Sequence, residues 1–173
     1  YDFSDLLRGR RTHLLVLEGI QDPGNLGTMI RTGECAGITG VILNRTTVDL
    51  FSPKTIRSTM GSIYRMPFFV AEDLAGTIGE LKKQGITVYA AHLKGTLSYD
   101  EPSYLTGSAF LIGNEGNGLT EETARLADVR IRIPMEGNAE SLNAAVSAAL
   151  LMYEAARQRR CDRRRRETDA DMV

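Results

Sequence analysis

Residues 13–32 read HLLVLEGIQDPGNLGTMIRT and place a strand, a break and a helix in immediate succession. The opening run HLLVLEG is short and apolar, which is typical of a buried strand. Asp22-Pro23-Gly24 interrupts the run, and residues 25–37 then carry apolar side chains at a loose helical spacing. A strand that turns directly into a helix is the repeating unit of an α/β fold.

The same alternation continues along the rest of the chain. Ser52 followed by Pro53 predicts a helix start, since serine is a good N-cap and proline suits the first helical position. Thr120 is predicted to cap another helix, with carboxylates in its first turn. Because strands and helices alternate throughout, we predict an α/β fold with a parallel sheet and helices on both faces. The predicted strands are residues 13–19, 40–44, 67–70, 86–91, 109–112 and 129–133; the predicted helices are 25–37, 53–62, 73–84, a short one after 120, and 141–158; residues 94–107 are predicted as loop.

The length and composition are those of one folded domain. The chain has 173 residues, of which 42% are hydrophobic and 25% charged, and one domain typically takes ~100–200 residues. No apolar run reaches the ~18 residues that a membrane span needs, so we expect no membrane partner. Cys35 and Cys161 alone form neither a disulfide framework nor a metal cluster, so we expect a reducing compartment, the cytoplasm, and no metal.

The net charge of −1 combines two unlike parts of the chain. Residues 1–156 carry a charge of −4, whereas residues 157–173 hold seven arginines and four acids, a charge of +3. Such asymmetry is typical of nucleic-acid contact, although a solvated tail has the same composition.

Ligands of parallel α/β sheets bind beyond the carboxyl ends of the strands, so the strand-to-helix junctions are the first places to search. The first junction, DPGNLGTMIRT, places Asn25 and Gly27 at a strand end and Arg31 within the following helix. An arginine there can direct its planar guanidinium at a phosphate. A turn with an asparagine N-cap and a surface arginine explains the same residues.

The second junction, LIGNEGNGL at residues 111–119, holds three glycines in one turn. Glycines let a backbone approach a ligand closely. The order G-x-x-G-x-G is neither the dinucleotide fingerprint nor a phosphate loop. Glu115 has no evident capping role, and the alternative is a flexible turn.

The third junction, IPMEGNAESLNAAVSAA at residues 133–149, combines a proline break with a polar turn and an alanine-rich helix. Ser141 is predicted as the N-cap, with Asn143 two residues further on. A buried helix would explain the alanines, but it would not explain the polar Ser141-Leu-Asn.

Together and in this order, the three junctions resemble the three motifs of the SpoU (TrmH-like) RNA ribose 2′-O-methyltransferases. The matching residues are Asn25–Gly27–Arg31, the Gly113-Asn-Glu-Gly-Asn-Gly turn, and Ile133-Pro-Met followed by Ser141-Leu-Asn. The resemblance covers roughly residues 13–158. It includes residues 59–67, TMGSIYRMP, which look like the family segment S-x-G-x-x-x-x-x-P. Thr59 stands where the family usually has serine, and Ala144 where many members have valine.

The resemblance implies a deep trefoil knot in the C-terminal part of the sheet, binding of S-adenosylmethionine in that knot, and a homodimer. Such knots are nearly absent among folds, so no pattern in the sequence could have indicated one. The implied cofactor-binding residues are Ile112, Gly113, Asn114, Gly118, Ile133, Met135, Ser141 and Leu142. The implied catalytic residues are Asn25, Arg31, Glu115, Ser141 and Asn143.

The implied chemistry is methyl transfer from a sulfonium to a ribose 2′-hydroxyl, which needs no metal. A guanidinium holds its proton at physiological pH, so Arg31 is a poor base. We expect Arg31 to stabilise the developing alkoxide and to orient a phosphate, with Glu115 or that phosphate assisting proton removal.

The expected organisation is a lead-in at residues 1–12, a methyltransferase domain at 13–158 and a flexible basic, then acidic, tail at 159–173. The lead-in resembles the remnant of a linker to an RNA-binding domain, which many members of the family carry. Ribosomal RNA is the first expected substrate and transfer RNA the second; a catalytically silent RNA-binding or assembly protein of the same fold is the alternative. Structural roles are expected for His13 and His92, packing for Tyr64, and a core position for Cys35.

Overall fold

All the strands of this chain lie parallel in one seven-stranded sheet, in the order β3-β2-β1-β6-β4-β7-β5. The computed structural model describes all 173 residues. The strands are β1 His13–Leu17, β2 Gly40–Asn44, β3 Phe68–Ala71, β4 Thr87–Ala91, β5 Leu97–Ser98, β6 Ser108–Ile112 and β7 Val129–Arg132.

Five α-helices connect or follow these strands, and each begins at a polar N-cap residue. The helices are α1 Pro23–Ala36, α2 Pro53–Ser58, α3 Leu74–Lys83, α4 Glu121–Arg125 and α5 Ala144–Asp171. Their N-caps are Asp22, Ser52, Asp73, Thr120 and Asn143, whose side chains accept hydrogen bonds from backbone N–H groups of the first turn. Short 3₁₀ turns lie at Phe3–Leu6, Gly9–Arg11 and Ser62–Tyr64. The caps predicted at Ser52 and Thr120 are confirmed.

The sheet is covered on both faces, as predicted. Successive side chains of β1 point to opposite faces, so Leu15 and Leu17 pack in the core cluster with α1 and α5. Leu14 and Val16 pack in the other cluster, with α3. Burial on both faces explains why β1 is a continuous apolar run.

Helix α5 differs from the prediction at both ends. Asn143, not Ser141, is its N-cap. The helix also continues past residue 158, where the sequence predicted its end, to Asp171. Arg159 explains the continuation, because its half-buried guanidinium donates to the backbone carbonyls of Tyr104, Arg11, Thr12 and Thr106 at 3.0–3.2 Å.

Four smaller differences concern individual residues. Leu97 and Ser98, predicted as loop, form strand β5 on β7. Cys35 is exposed rather than in the core. Leu6, within the expected lead-in, is fully buried in the core cluster that includes β1 and α3. Tyr64, expected to pack, is 76% exposed.

His13 takes the structural position that was expected of it. The side chain is buried edge-on against Phe110, and burial followed by the nearby charge of Arg159 lowers its pKa to about 3. The imidazole is therefore neutral at physiological pH. None of the helices is both long and apolar enough to cross a lipid bilayer.

Candidate active site

A cavity of about 310 Å³ opens beyond the carboxyl ends of β4, β6 and β7. This is the edge of a parallel sheet at which ligands bind, and the volume lies in the range of small-molecule sites. The glycine-rich turn after β6 forms one wall, and the segment from the end of β7 into α5 forms another. The lining residues are Ala91, His92, Leu93, Lys94, Ile112, Gly113, Asn114, Glu115, Gly116, Asn117, Gly118, Leu119, Ile131, Ile133, Met135, Ser141, Leu142, Ala144, Ser147 and Leu151.

The structure brings all eight predicted cofactor residues to this one cavity. They come from two segments that are separated by α4 and β7 in sequence. These residues are Ile112, Gly113, Asn114, Gly118, Ile133, Met135, Ser141 and Leu142. Their common location is a structural finding, whereas their binding of a cofactor stays a prediction.

Asn114 organises the glycine-rich turn. Its side-chain oxygen accepts from the N–H groups of Gly116 and Asn117, and its amide donates to the carbonyl of Gly19 at 2.8 Å. Asn114 and Gly118 also exchange two backbone hydrogen bonds. Gly113 faces this closed turn so tightly that a Cβ there would overlap the backbone of Gly118 and Leu119. The glycine is therefore required by close backbone approach.

Three predicted catalytic residues form a hydrogen-bonded row, which we call the amide network: Asn143, Asn25 and Glu115. The Asn143 side-chain oxygen accepts from the N–H groups of Ala145 and Val146 in the first turn of α5. Its amide nitrogen must then face Asn25, and it donates to the Asn25 oxygen at 3.1 Å. The Asn25 nitrogen in turn faces Glu115, at 3.4 Å from Oε1. The helix cap thus fixes the orientation of both amides.

Glu115 is held as a carboxylate by backbone donors. The N–H groups of Gln21 and Asp22 point at its oxygens at 2.9–3.1 Å. Burial alone would raise the Glu115 pKa, but these two N–H donors and the Asn25 amide outweigh it and lower the pKa below its ordinary value. A carboxylate in this position is a weak base, so the structure favours a positioning role for it.

Ser141 and Arg31 differ from the amide network because their side chains have no hydrogen bond or ion pair within the chain. Both are exposed. Ser141 lines the cavity. Arg31 lies on α1 six residues after Asn25 and is not part of the cavity wall. These two polar groups are therefore available to a substrate.

The cavity also contains residues that the sequence did not indicate as site residues. His92 and Lys94 follow β4 and line the cavity, and Lys94 donates its backbone N–H to Nδ1 of His92 at 3.1 Å. The available signal was their position, because they directly follow a strand whose carboxyl end lies at the ligand edge. No group of three or more His, Cys, Asp or Glu side chains is arranged to hold a metal ion.

The residues present fit the cofactor that the resemblance implies. Ile112, Ile131, Ile133 and Leu142 provide apolar walls for a flat adenine ring. The backbone N–H groups of Leu119, Ile133 and Leu142 donate no hydrogen bond within the chain, so they remain available to a polar ligand. Lys94 is the one full cation in the lining and can face a carboxylate.

Comparison with known proteins decides the family. The family model described as "SpoU rRNA Methylase family" matches residues 12–153. The chain belongs to the SpoU rRNA methylase family. The matched range includes the glycine-rich turn, the amide network and the first turns of α5, so it spans the whole candidate site.

Three known proteins show how close the similarity is. The chain is 41% identical over 140 residues to the 23S rRNA (guanosine(2553)-2′-O)-methyltransferase RlmP of Bacillus subtilis, over 81% of this chain and 56% of that protein. The crystal structure of AviRb from Streptomyces viridochromogenes in complex with the cofactor AdoMet superposes with a TM-score of 0.86 at 28% identity, over 91% of this chain and 62% of that one. A structure described as giving insights into methylation of C/U34 on tRNA superposes with a TM-score of 0.78 at 31% identity, over 86% of this chain and 97% of that one. The chain thus spans little more than half the length of the Bacillus relative.

Proposed function

We propose that this chain transfers a methyl group from S-adenosylmethionine to a ribose 2′-hydroxyl of RNA, with ribosomal RNA as the substrate, in the cytoplasm. One observation carries the proposal: the cavity lined by the eight predicted cofactor residues is bordered by the amide network, through Glu115. A small-molecule site and an ordered set of polar side chains thus lie side by side. Membership of the SpoU family supports the same reaction.

The cofactor would be held by the walls of the cavity. The apolar side chains of Ile133 and Leu142 would enclose the adenine, and the free N–H groups of Leu119 and Ile133 would meet its polar edge. S-Adenosylmethionine, when bound, supplies an electrophilic methyl group on its sulfonium. No metal is needed for such a transfer, and the expectation of a metal-free site remains a prediction.

The chain itself would position the ribose and stabilise the charge that develops on its oxygen. Arg31 is the free cation on the α1 side of the site, so it can orient a neighbouring phosphate and stabilise an alkoxide. Ser141 can donate a hydrogen bond to a ribose oxygen. Asn25, Glu115 and Asn143 satisfy one another, so we assign them to holding the first turns of α1 and α5 in register.

The proton of the 2′-hydroxyl must leave to an acceptor of adequate basicity. Backbone and side-chain donors lower the Glu115 pKa, which makes this carboxylate a poor acceptor. An RNA phosphodiester is a weaker base still, so we assign proton acceptance to solvent water as the methyl group is transferred, with Arg31 stabilising the developing alkoxide.

We also propose a homodimer. Val146, Leu150 and Tyr153 follow one side of α5 at helical spacing, and Leu142 lies just before the N-cap of that helix. These four side chains form an apolar stripe, and each is 37–48% exposed. A second copy of the chain would cover this stripe and exclude water from it. Leu142 belongs both to the stripe and to the cavity wall, so the dimer would form beside the cofactor site.

The trefoil knot implied by the resemblance is part of the proposal. Two features of the topology support it. Strand β6 lies between β1 and β4, and α5 follows β7 near a sheet edge yet packs on α1 nearer the sheet centre. The glycine-rich turn and the segment leading into α5 also line the same cavity.

The test is methyl transfer by the purified chain with radiolabelled S-adenosylmethionine and unmodified transcripts of 23S rRNA and of tRNA. We expect label in 23S rRNA and, after nuclease digestion, 2′-O-methyl nucleosides by mass spectrometry. Label confined to tRNA would favour transfer RNA as the substrate, the RNA named in the description of one structural neighbour. Cofactor binding by calorimetry without transfer to either transcript would favour the silent RNA-binding protein.

A charge in the α5 stripe tests the dimer. Leu150→Asp should shift the mass measured by light scattering to that of one chain, because a carboxylate cannot be buried unpaired. Arg160→Asp changes an exposed residue further along α5 and serves as the control. A wild-type protein that is monomeric at micromolar concentration would contradict the proposal.

A further inference from the structure

The surface of α1 opposite its α5 contact carries exposed groups that the proposed reaction does not use. Residues 58–65 run alongside α1, and Met60 and Tyr64 in this stretch are 68% and 76% exposed. Nearby Arg57 at the end of α2 is exposed as well. We call this set, with Arg31, the Tyr64 surface.

Two contacts fix where this surface lies along α1. Gly27 touches Ser58 so closely that a Cβ on the glycine would overlap the serine side chain. Further along, Arg65 pairs with Glu34, with a second contact at 3.0 Å. Residues 58–65 therefore lie beside the stretch of α1 from Gly27 to Glu34, and Arg31 lies within that stretch.

The charge of the surface is positive. Arg65 neutralises Glu34, and the hydrogen bonds from Arg65 lower the pKa of that carboxyl. Arg31 and Arg57 have no acidic partner in the chain. Unpaired arginines beside an exposed tyrosine are the combination that contacts single-stranded nucleic acid, since arginines meet phosphates and the ring stacks on a base.

Met60 has an unusual backbone conformation. Its φ of +50° makes it the only non-glycine residue of the chain in the left-handed region. The methionine is thus held in an unfavourable backbone conformation while its apolar side chain remains in solvent. Such a side chain beside an exposed tyrosine provides apolar area for a nucleobase.

We propose that the Tyr64 surface receives the single-stranded RNA next to the methylated nucleotide, with Tyr64 stacking on a base and Arg57 contacting a phosphate. This inference rests on the proposed function. The location of this surface beside Arg31 would place the stacked base next to the ribose whose alkoxide Arg31 stabilises.

A second copy of the chain is the other possible occupant, but the geometry favours RNA. On α1, Gly33 faces α5, since a Cβ there would lie 3.5 Å from Sδ of Met152. Gly27 and Glu34 face residues 58–65 instead. The Tyr64 surface and the buried face of α5 therefore lie on different sides of α1.

Tyr64→Ala and Tyr64→Phe test the stacking. With the transcript that the wild-type protein methylates, we expect the alanine variant to raise the RNA Kd about tenfold, which is near the lower end of the effect of losing one base–aromatic stack. The phenylalanine variant should bind within about twofold of wild type because it keeps the ring. Tyr1→Ala removes another exposed aromatic ring, 59% exposed and distant from Arg31 in sequence, and should leave the Kd unchanged.

Arg57→Ala tests the phosphate contact. The slope of log Kd against log salt concentration should fall by about one for this variant. Arg125→Ala removes an exposed guanidinium on α4 and should leave the slope unchanged.

Three results would overturn the inference. They are an RNA Kd of Tyr64→Ala within about twofold of wild type, an equal loss in Tyr64→Phe, and a change of mass by light scattering that shows a subunit contact. The cofactor Kd, measured by calorimetry, should remain unchanged in every variant. If the wild-type protein binds and methylates no RNA, the proposed function fails and this inference with it; if methylation is normal and Tyr64→Ala is silent, only the inference fails.

Discussion

Asn143 combines a helix cap with a proposed positioning role, and two substitutions can separate them. Its side-chain oxygen caps α5 at 2.8 and 3.2 Å, and its amide nitrogen donates to Asn25 at 3.1 Å. Asn143→Ala removes both. Loss of an N-cap costs about 1 kcal/mol, and loss of one exposed amide hydrogen bond adds about 0.5–1 kcal/mol. For a domain of this size the sum lowers Tm by about 3–8 °C.

Asn143→Asp keeps the cap and removes the donor. A carboxylate accepts from the N–H groups of Ala145 and Val146 and suits the helix dipole, so the Tm should stay within about 2 °C of wild type. It cannot donate to Asn25, however. If the Asn25 amide turned over to donate to it, the Asn25 oxygen would face the Glu115 carboxylate. The amide network is therefore disrupted in either orientation.

The assay is kcat for methyl transfer measured together with calorimetric unfolding. We expect kcat of Asn143→Asp to fall about 10–100-fold while its Tm is retained, because misplacement of catalytic groups by about 1 Å has effects of that size. Asn143→Ala should lose both kcat and Tm. If Asn143→Asp retains wild-type kcat, the network does not position the site. If it loses as much Tm as Asn143→Ala, the cap assignment is wrong.

Three further predictions concern other parts of the structure. Glu115→Gln removes a carboxyl whose pKa is lowered on folding, so wild type should exceed it in unfolding free energy at neutral pH. That difference in unfolding free energy, measured by urea denaturation, should disappear as the pH falls below 4.5, the ordinary pKa of a glutamate carboxyl. Gly113→Ala should abolish calorimetric cofactor binding, because its Cβ would overlap the backbone of the glycine-rich turn, whereas Gly137→Ala, with open space around it, should bind normally. Arg159→Ala should lower the free energy of unfolding by about 2 kcal/mol, since it removes charge-assisted hydrogen bonds to four carbonyls. Arg160→Ala, one residue further and exposed, should change it by less than about 0.5 kcal/mol.

Local patterns predicted the sheet because its strands are buried on both faces. Strand β2 occupies the predicted residues 40–44, and the other predicted strands agree within two residues at each end. Strand β5 escaped prediction because it has two residues and exists through pairing with β7, a contact distant in sequence. The end of α5 was missed because an arginine run has no apolar periodicity, and Arg159 stabilises the helix through partners on other elements.

The sequence named the residues of the candidate site but could not give the hydrogen bonds between them. Motif resemblance selected the five catalytic candidates and the eight cofactor candidates, and the family is confirmed. Ser141 and Asn143 are equally good N-caps by sequence, and in the structure it is Asn143 that caps α5 and also donates to Asn25. For Cys35 the sequence pattern led to a wrong prediction, since the residue lies in an amphipathic helix and yet faces solvent.

The division between satisfied and free polar groups is the feature of this site that bears most directly on mechanism. In sequence, Asn25 lies 90 residues from Glu115 and 118 residues from Asn143. The three side chains nevertheless form hydrogen bonds with one another. A group that is fully hydrogen-bonded within the protein must break a bond to contact a substrate, which costs free energy at the moment of reaction. Arg31 carries no such cost, because its guanidinium has no partner to leave. Under the proposed function we therefore assign the contacts to an RNA substrate to Arg31 and Ser141, and to the amide network the role of holding the first turns of α1 and α5 in place.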